Sequence, residues 1–205
     1  MSNKGNDKKR TWGDYLYYSY ASLNALMSAL NTGVASRDNT YYRVRAHAYK
    51  MYREGKWHIN DLYQQNRSKL LYGGHCYYCG KECTPSELTA DHVFPRSKGG
   101  ESGVDNIILA CKACNTSKGS MDFFEWHFEK LGYWPDTFLL THYLKQIYQY
   151  SKDNGLLDLT REELKERELP FNPDYVPHSY PQPEYFMNSE YEDSRALDEY
   201  FDTNW

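Results

Sequence analysis

The sequence predicts an α+β fold in which a small core with a structural metal site lies between mostly α-helical flanks. Two Cys-x-x-Cys knuckles, Cys76/Cys79 and Cys111/Cys114, have the ligand spacing of a structural zinc site. On both sides of the knuckles apolar residues recur at intervals of three and four, which is the period of amphipathic helices. These observations divide the chain into a flexible basic arm at 1–12, a helical region at 13–72, the core at 73–132, further helices at 133–169 and a tail at 170–205.

The N-terminal region predicts three helices. The apolar periodicity covers 13–35, and a second, basic helix is expected from Asn39 or Thr40 to Arg53. A third helix is expected over 57–71, with Asn60 as its cap. Three short helices with a glycine turn could form a helix-turn-helix reader of DNA, although the sequence carries no diagnostic pattern for one.

The core and the region after it predict short strands followed by helices. A strand is expected at 88–94, a polar glycine-rich loop at 95–104 and a returning strand at 106–110. A helix should begin at Ala113 or Cys114 and run through Lys118. Further helices are expected over 121–131 and 137–151, and Thr160 with Glu163 resembles a capping box that opens a short helix.

Opposite charges dominate the two ends of the chain. Residues 1–120 hold 17 Lys and Arg against 10 Asp and Glu, whereas residues 158–205 hold 4 against 13. The basic part favours a polyanionic ligand such as nucleic acid. From Pro170 onwards prolines, acidic residues and aromatic residues are interleaved, which predicts a segment without a packed core of its own. Such a tail could dock on a partner, fold back on the basic half or remain a disordered solubilising segment.

The cysteines and the hydropathy indicate the compartment. Four of the five cysteines lie in the knuckles, which favours metal binding in a reducing environment over a disulfide framework. The sequence has no apolar run of membrane-spanning length and no signal-peptide pattern at its start, so we expect a cytoplasmic protein. The fifth cysteine, Cys83, could be a spare thiol, an alternative zinc ligand or part of a hairpin turn, and the spare thiol is favoured.

Side chains suited to phosphodiester hydrolysis lie between and just after the knuckles. Asp91 offers an oxygen ligand for a hard divalent cation, and the adjacent His92 can accept a proton near neutral pH. Because zinc would hold the two ends of the interval together, Asn115 can return to the neighbourhood of Asp91. A carboxylate and an amide oxygen suit a hydrated magnesium ion that bridges to a substrate phosphate. We therefore expect His92 to activate a water and the ion to stabilise the developing charge.

Four motifs together resemble those of the zinc-containing HNH endonucleases, the ββα-metal nuclease fold. They are Cys-x-x-Cys-Gly, Thr-Ala-Asp-His-Val-x-Pro-Arg-Ser-Lys-Gly-Gly, Asn-Ile-Ile-Leu and Ala-Cys-x-x-Cys-Asn-x-x-Lys-Gly. The resemblance implies that His92 is the general base and that Asp91 and Asn115 bind the catalytic ion, Mg²⁺ or Mn²⁺. It also implies that Asn106 steadies the loop that carries the base. The family is named for a His-Asn-His pattern, and its last residue is Asn115 here, which gives His-Asn-Asn. The resemblance implies that this change alters the metal preference more than it affects whether there is activity.

The resemblance implies an endonuclease acting on DNA, with duplex DNA as the expected substrate. Five cationic residues are candidate phosphate contacts: Arg96, Lys98, Lys118, Arg43 and Lys50. For Lys118, and for the basic helix that holds Arg43 and Lys50, the alternative is a solvated helix face.

The chain is also similar to effector subunits of prokaryotic restriction and phage-defence systems. There a larger partner, often an ATPase or a sensor, recruits the nuclease, and the acidic aromatic tail would dock that partner. Two other classes remain open. One is a homing or phage-type nuclease that reads its own site through residues 40–71, and the other is a catalytically silent zinc-binding adaptor.

Overall fold

The computed structural model of the chain describes residues 10–59, 74–103 and 105–188. Within these ranges the fold is α+β, as predicted, with a two-stranded sheet and helices on either side of it along the chain. Short 3-10 turns at Pro85–Glu87 and Arg96–Lys98 precede and follow the first strand. The elements are α1 (Trp12–Thr32), α2 (Asn39–Arg53), β1 (Leu88–His92), β2 (Ile107–Cys111), α3 (Lys112–Lys118), α4 (Phe123–Leu131), α5 (Thr137–Asp153), α6 (Arg161–Lys165) and α7 (Pro183–Met187).

Helix α1 is the centre of the helical part, and α2, α5 and α7 all pack against it. Thr11 caps its start by accepting a hydrogen bond from the Asp14 N–H, and Gly33 ends it in the left-handed conformation at φ +69°. The prediction that the flexible arm includes Trp12 is wrong. Its indole is fully buried, donates to the Ser151 hydroxyl at 2.9 Å and stacks on Phe171 at a ring distance of 5.9 Å.

Helix α2 has the predicted extent but a different cap. Asp38, one residue before the two expected candidates, accepts a hydrogen bond from the Tyr41 N–H at 2.8 Å. Most of the predicted third helix lies outside the described residues. At its expected start, the N–H groups of Lys56 and Trp57 both donate to the Met51 carbonyl, at 3.0 and 3.2 Å, so residues 57–59 turn back on α2 and are not helical.

Strands β1 and β2 form an antiparallel pair in which Asp91 lies opposite Ile108 and His92 opposite Ile107. Strand β1 ends at His92, two residues earlier than predicted, although the Val93 N–H still donates to the Asn106 carbonyl at 2.9 Å. Helix α3 follows β2 directly and packs on both strands. The sheet and α3 are therefore the short ββα unit that the motifs implied.

Helices α4, α5 and α6 begin at carboxylate or hydroxyl caps. Asp122 and Asp136 accept hydrogen bonds from the first turns of α4 and α5, and Thr160 with Glu163 forms the predicted capping box of α6. No helix in the described ranges has both the length and the apolar character that a bilayer crossing requires.

The segment from Pro170 to Asn188 packs on α1, so the tail does not start at residue 170 as expected. Phe171, Val176 and Tyr180 are buried, and the hydroxyl of Ser19 on α1 donates to the Pro177 carbonyl. The Glu184 N–H donates to the Ala35 carbonyl at 2.8 Å, which fixes α7 beside the end of α1. Of the two acidic residues in this stretch, Glu184 is exposed and Asp174 pairs with Arg161 and Lys165 of α6. Residues 189–205 lie outside the described ranges.

Candidate active site

The four knuckle cysteines come together at one end of the sheet. Their sulfur atoms all lie within 4.8 Å of one another, and two of the four cysteines are buried. The first knuckle is a tight turn in which the Gly80 N–H donates to the Cys76 carbonyl at 2.9 Å, with Gly80 at φ +70°. Zn²⁺ bound by four thiolates at about 2.3 Å separates the sulfurs by about 3.8 Å, so this cluster fits a tetrahedral zinc ion.

Cys83 does not belong to that cluster. It follows the first knuckle, and its N–H donates to the Gly74 carbonyl at 2.8 Å. The backbones of His75 and Glu82 form an isolated antiparallel β-bridge. These contacts place Cys83 in the hairpin that closes the knuckle. Burial raises the pKa of its thiol.

Asp91 is a buried carboxylate with donors on both of its oxygens. The Tyr78 hydroxyl donates to Oδ2 at 2.7 Å, and the Lys118 ammonium lies 3.3 Å from the same oxygen. Oδ1 accepts a hydrogen bond from the His92 N–H at 2.8 Å. An ionised carboxylate has about four lone-pair sites, so these contacts fix the orientation of Asp91 and leave capacity for a metal ion.

Lys118 takes a different place from the one expected of a DNA contact. Its side chain is 0% exposed, and its ammonium donates to the His92 carbonyl at 2.7 Å as well as pairing with Asp91. Burial lowers its pKa, and the neighbouring Asp91 carboxylate opposes that shift. Lys118 therefore faces the interior, where it joins the carboxylate of one candidate residue to the backbone of the next.

His92 lies at the end of β1 with a partly exposed ring. Burial lowers its pKa, with a further contribution from the Arg96 guanidinium, while the Asp91 carboxylate acts in the opposite direction. Its Nε2 atom is buried and has no hydrogen-bond partner among the described residues. An imidazolium would need partners for two N–H groups, so this environment favours the neutral ring, which can accept a proton.

Asn106 clamps the backbone that follows His92. Its side chain is fully buried, with the amide oxygen accepting from the Phe94 N–H at 2.7 Å and the amide nitrogen donating to the Phe94 carbonyl at 2.8 Å. The same nitrogen donates to the Glu101 carbonyl at 2.9 Å. A Cβ at Gly100 would lie 2.0 Å from the Phe94 oxygen, so the clamp also needs a glycine there.

Asn115 lies on α3 beside β1. Its amide nitrogen donates to the Thr89 hydroxyl at 2.9 Å and reaches the Ala90 carbonyl at 3.4 Å. Because the nitrogen is engaged by the strand, the amide oxygen is the atom available to a metal ion. A carboxylate and an amide oxygen are a partial set of hard ligands, which fits a magnesium ion that keeps several waters and binds phosphate.

The loop after β1 presents cations on its outer side and is anchored to α5 on its inner side. Arg96 and Lys98 are exposed on the 3-10 turn. Asp105, at the end of the loop, forms an ion pair with Lys145 of α5, and the Phe94 ring lies 5.6 Å from the ring of Tyr150. The helical flank therefore supports the loop that follows His92.

The remaining predicted DNA contacts, Arg43 and Lys50, are not part of this site. Both are exposed on α2, which packs on α1. Sequence reasoning missed Tyr78 and Lys145, which hold Asp91 and the loop. Tyr78 lies inside the first knuckle next to Tyr77, which is also buried, and no spacing rule indicates which of the two hydroxyls reaches Asp91.

Comparison with known proteins places this geometry in a family. Residues 76–128 match the HNH endonuclease family. The chain is similar to the CRISPR-associated endonuclease Cas9 of Corynebacterium diphtheriae, with 32% identity over 71 residues, which is 34% of this chain and 6% of Cas9. It is also similar to the SPbeta prophage-derived putative HNH endonuclease YoqL of Bacillus subtilis, with 29% identity over 94 residues. That similarity spans 42% of this chain and 38% of YoqL. The chain thus contains an HNH endonuclease domain over residues 76–128.

Proposed function

We propose that the protein is a metal-dependent endonuclease that hydrolyses phosphodiester bonds of DNA, with duplex DNA as its substrate. The observation that carries the proposal is the geometry at His92. Its ring follows directly on Asp91, whose carboxylate is held by Tyr78 and Lys118, and its Nε2 has no hydrogen-bond partner among the described residues. A neutral imidazole beside an oriented carboxylate is the arrangement that a general base for water activation requires.

Each candidate residue of the site has a part in this proposal. His92 takes the proton from the attacking water, and the Asn106 clamp holds the backbone after His92 so that the ring keeps its position. Asp91 and Asn115 would hold a divalent ion, Mg²⁺ or Mn²⁺, and the ion would supply stabilisation for the negative charge that develops on the phosphate and the leaving 3′-oxygen. Tyr78 and Lys118 fix the carboxylate of Asp91.

The exposed loop cations supply contacts to the DNA backbone. Arg96 is close enough to His92 to influence its pKa, so a phosphate bound by Arg96 would lie near the base. Lys98 lies on the same short turn and would bind a neighbouring phosphate. Structural zinc on the four cysteines keeps the sheet and α3 together and takes no part in the chemistry.

The names of the similar proteins support two candidate biological roles. Cas9 is named as a CRISPR-associated endonuclease, which supports an effector nuclease of a prokaryotic defence system. Such an effector would work with a partner, an ATPase or a sensor, and residues 189–205 are the acidic aromatic stretch available to dock it. YoqL is named as prophage-derived, which supports a phage-type nuclease as the second candidate.

Cleavage of supercoiled plasmid tests the activity. The zinc-loaded protein is incubated with Mg²⁺ or Mn²⁺ beside His92→Ala at equal zinc content. We expect nicked or linear DNA with the parent protein and a rate lower by about 10²–10⁴ with the variant, the usual contribution of a general base. Equal cleavage by both would contradict the role of His92. No cleavage by either, with zinc retained, would contradict a constitutive enzyme and favour partner activation or a silent adaptor.

A further inference from the structure

We propose that the exposed side of α2 is a second contact surface for the DNA phosphate backbone, outside the HNH domain. This α2 surface consists of Arg43, His47 and Lys50, with Tyr42 and Trp57 at its two ends. The inference rests on the proposed function, since it assumes that DNA is the substrate, and it extends the bound DNA beyond the catalytic site.

The charge of α2 is the first observation. The helix carries four cations, Arg43, Arg45, Lys50 and Arg53, and no acidic residue. Only part of this charge is neutralised: Arg53 pairs with Asp14 at 3.0 Å and Lys50 lies 3.8 Å from Glu54 with its side chain 67% exposed. Neither Arg43 nor Arg45 pairs with a carboxylate in the described part of the chain. The surface is complementary to a polyanion.

Exposed aromatic rings are the second observation. Tyr42 and Trp57 are 45% and 40% exposed, and they are the large apolar side chains left in solvent among the described residues. The Arg45 guanidinium lies 5.1 Å above the Tyr42 ring, and the His47 ring lies 5.4 Å from that of Trp57. Cations interleaved with exposed aromatic rings are the composition of nucleic-acid surfaces, because phosphates meet the cations and sugars or bases meet the rings.

The spacing along α2 also fits a backbone. Arg43, His47 and Lys50 are separated by four and three residues, so they lie on one side of the helix, and all three are exposed. From Arg43 to Lys50 the helix rises by about 10 Å. Arg43 and Lys50 are thus far enough apart along the helix to meet different phosphates of one DNA strand.

The α2 surface is fixed relative to the active site through packed helices. Helix α2 packs on α1, where Asn24 donates to the Tyr52 hydroxyl at 2.8 Å. Helix α1 packs on α5, where the Tyr20 hydroxyl donates to the Thr141 carbonyl at 3.0 Å. Helix α5 in turn holds the loop after β1 through Lys145 and Asp105. A connected series of packed elements therefore joins the α2 surface to the loop after β1.

Equilibrium binding to a labelled long duplex tests the inference. Arg43→Gln/Lys50→Gln is compared with Lys130→Gln/Lys152→Gln, an equal loss of charge at two exposed lysines on α4 and α5. All proteins also carry His92→Ala so that the DNA stays intact. We expect the α2 variant to bind about tenfold more weakly, with the slope of log affinity against log salt reduced by about 2. The control should bind like the parent.

Three outcomes would contradict the inference. Unchanged affinity of the α2 variant would remove this surface from the DNA path, and an equal loss in both variants would reduce the effect to net charge. Unchanged DNA affinity together with weaker binding of polyglutamate would assign the surface to an acidic polypeptide. The proposed function fails separately, if the protein without any substitution neither cleaves plasmid nor binds DNA.

Discussion

The HNH domain and the helical flank are held together by different interactions. In the domain a two-stranded sheet and a seven-residue helix are ordered by four clustered cysteines that can bind a metal ion, an asparagine clamp and a buried carboxylate with its donors. In the flank the order comes from large buried rings, among them Trp12, Tyr20, Trp134, Tyr143 and Tyr180. Metal ligands and buried hydrogen bonds require particular residue types at particular spacings, whereas apolar packing can be satisfied by many combinations of apolar residues. The two regions should therefore respond differently to the same kinds of perturbation.

Loss of zinc should have the largest effect and should be confined to the domain. Cys111→Ser removes one of the four thiolates, and structural zinc contributes about 10–16 kcal/mol to folding in small zinc modules. We expect loss of bound zinc, of cleavage and of amide protection in β1, β2 and α3, while α1 and α5 stay protected. Zinc content and hydrogen exchange measure this. Cys83→Ser is the matched control and should retain zinc, and loss of protection throughout α1 would show that the flank depends on the domain.

Lys118→Met should have the next largest effect, because it removes the cation of a buried ion pair. The Asp91 carboxylate and the His92 carbonyl would both lose a donor. Breaking one side of a buried pair lowers the free energy of unfolding by about 3–5 kcal/mol. Loss of such an outer contact to a metal ligand lowers activity by about 10–100-fold. Denaturant unfolding and cleavage rates measure these effects.

The same variant distinguishes the buried role from the role expected from sequence. A phosphate contact at Lys118 would leave stability unchanged and would lower the salt slope of DNA binding by about 1. A stable Lys118→Met protein with that binding defect would therefore contradict the structure at this position.

Gly100→Ala tests the clamp on the loop that follows His92. The added Cβ would lie 2.0 Å from the Phe94 carbonyl oxygen and 2.8 Å from the Asn106 amide nitrogen, so the loop must shift. Overpacking of this kind lowers stability by about 1–3 kcal/mol, and we expect cleavage to fall further because His92 moves with the loop. Gly103→Ala, whose nearest neighbour would be 3.9 Å away, should behave like the parent in thermal unfolding and cleavage assays. Similar losses in both variants would contradict a clamp specific to Gly100.

The smallest effect concerns pH and the junction between domain and flank. Asp122 caps α4 and accepts a hydrogen bond from Tyr143 of α5, and burial raises its pKa from 3.8 to about 6. The folded protein thus holds this proton more tightly than the unfolded chain, so stability falls as the pH rises from about 4 to 6. Relative to Asp122→Asn, which can still cap α4, the free energy of unfolding should fall by about 2–3 kcal/mol across that interval. A pH-independent difference would contradict the shift.

The same contrast explains what the sequence could predict. The knuckle spacing, the Asp91-His92 pair and Asn106 predicted the four-cysteine cluster and the fold of the domain, because each is tied to a fixed ligand or backbone geometry. Lys118 was misplaced, since helical spacing puts it near Asn115 but does not give its depth. The composition from Pro170 onwards predicts a tail without a packed core of its own, yet Phe171, Val176 and Tyr180 pack on a complementary surface of α1. Such surfaces depend on distant parts of the chain and leave no local pattern.

Single-turnover cleavage of an end-labelled duplex, with analysis of the product ends, tests the proposed hydrolysis most directly. Zinc-loaded protein with Mg²⁺ is compared with His92→Ala at equal zinc content. The account predicts products with 5′-phosphate and 3′-hydroxyl ends that DNA ligase rejoins without prior phosphorylation, and almost no product with the variant. Undiminished cleavage by His92→Ala, or products with 3′-phosphate ends, would contradict hydrolysis by a water that His92 activates.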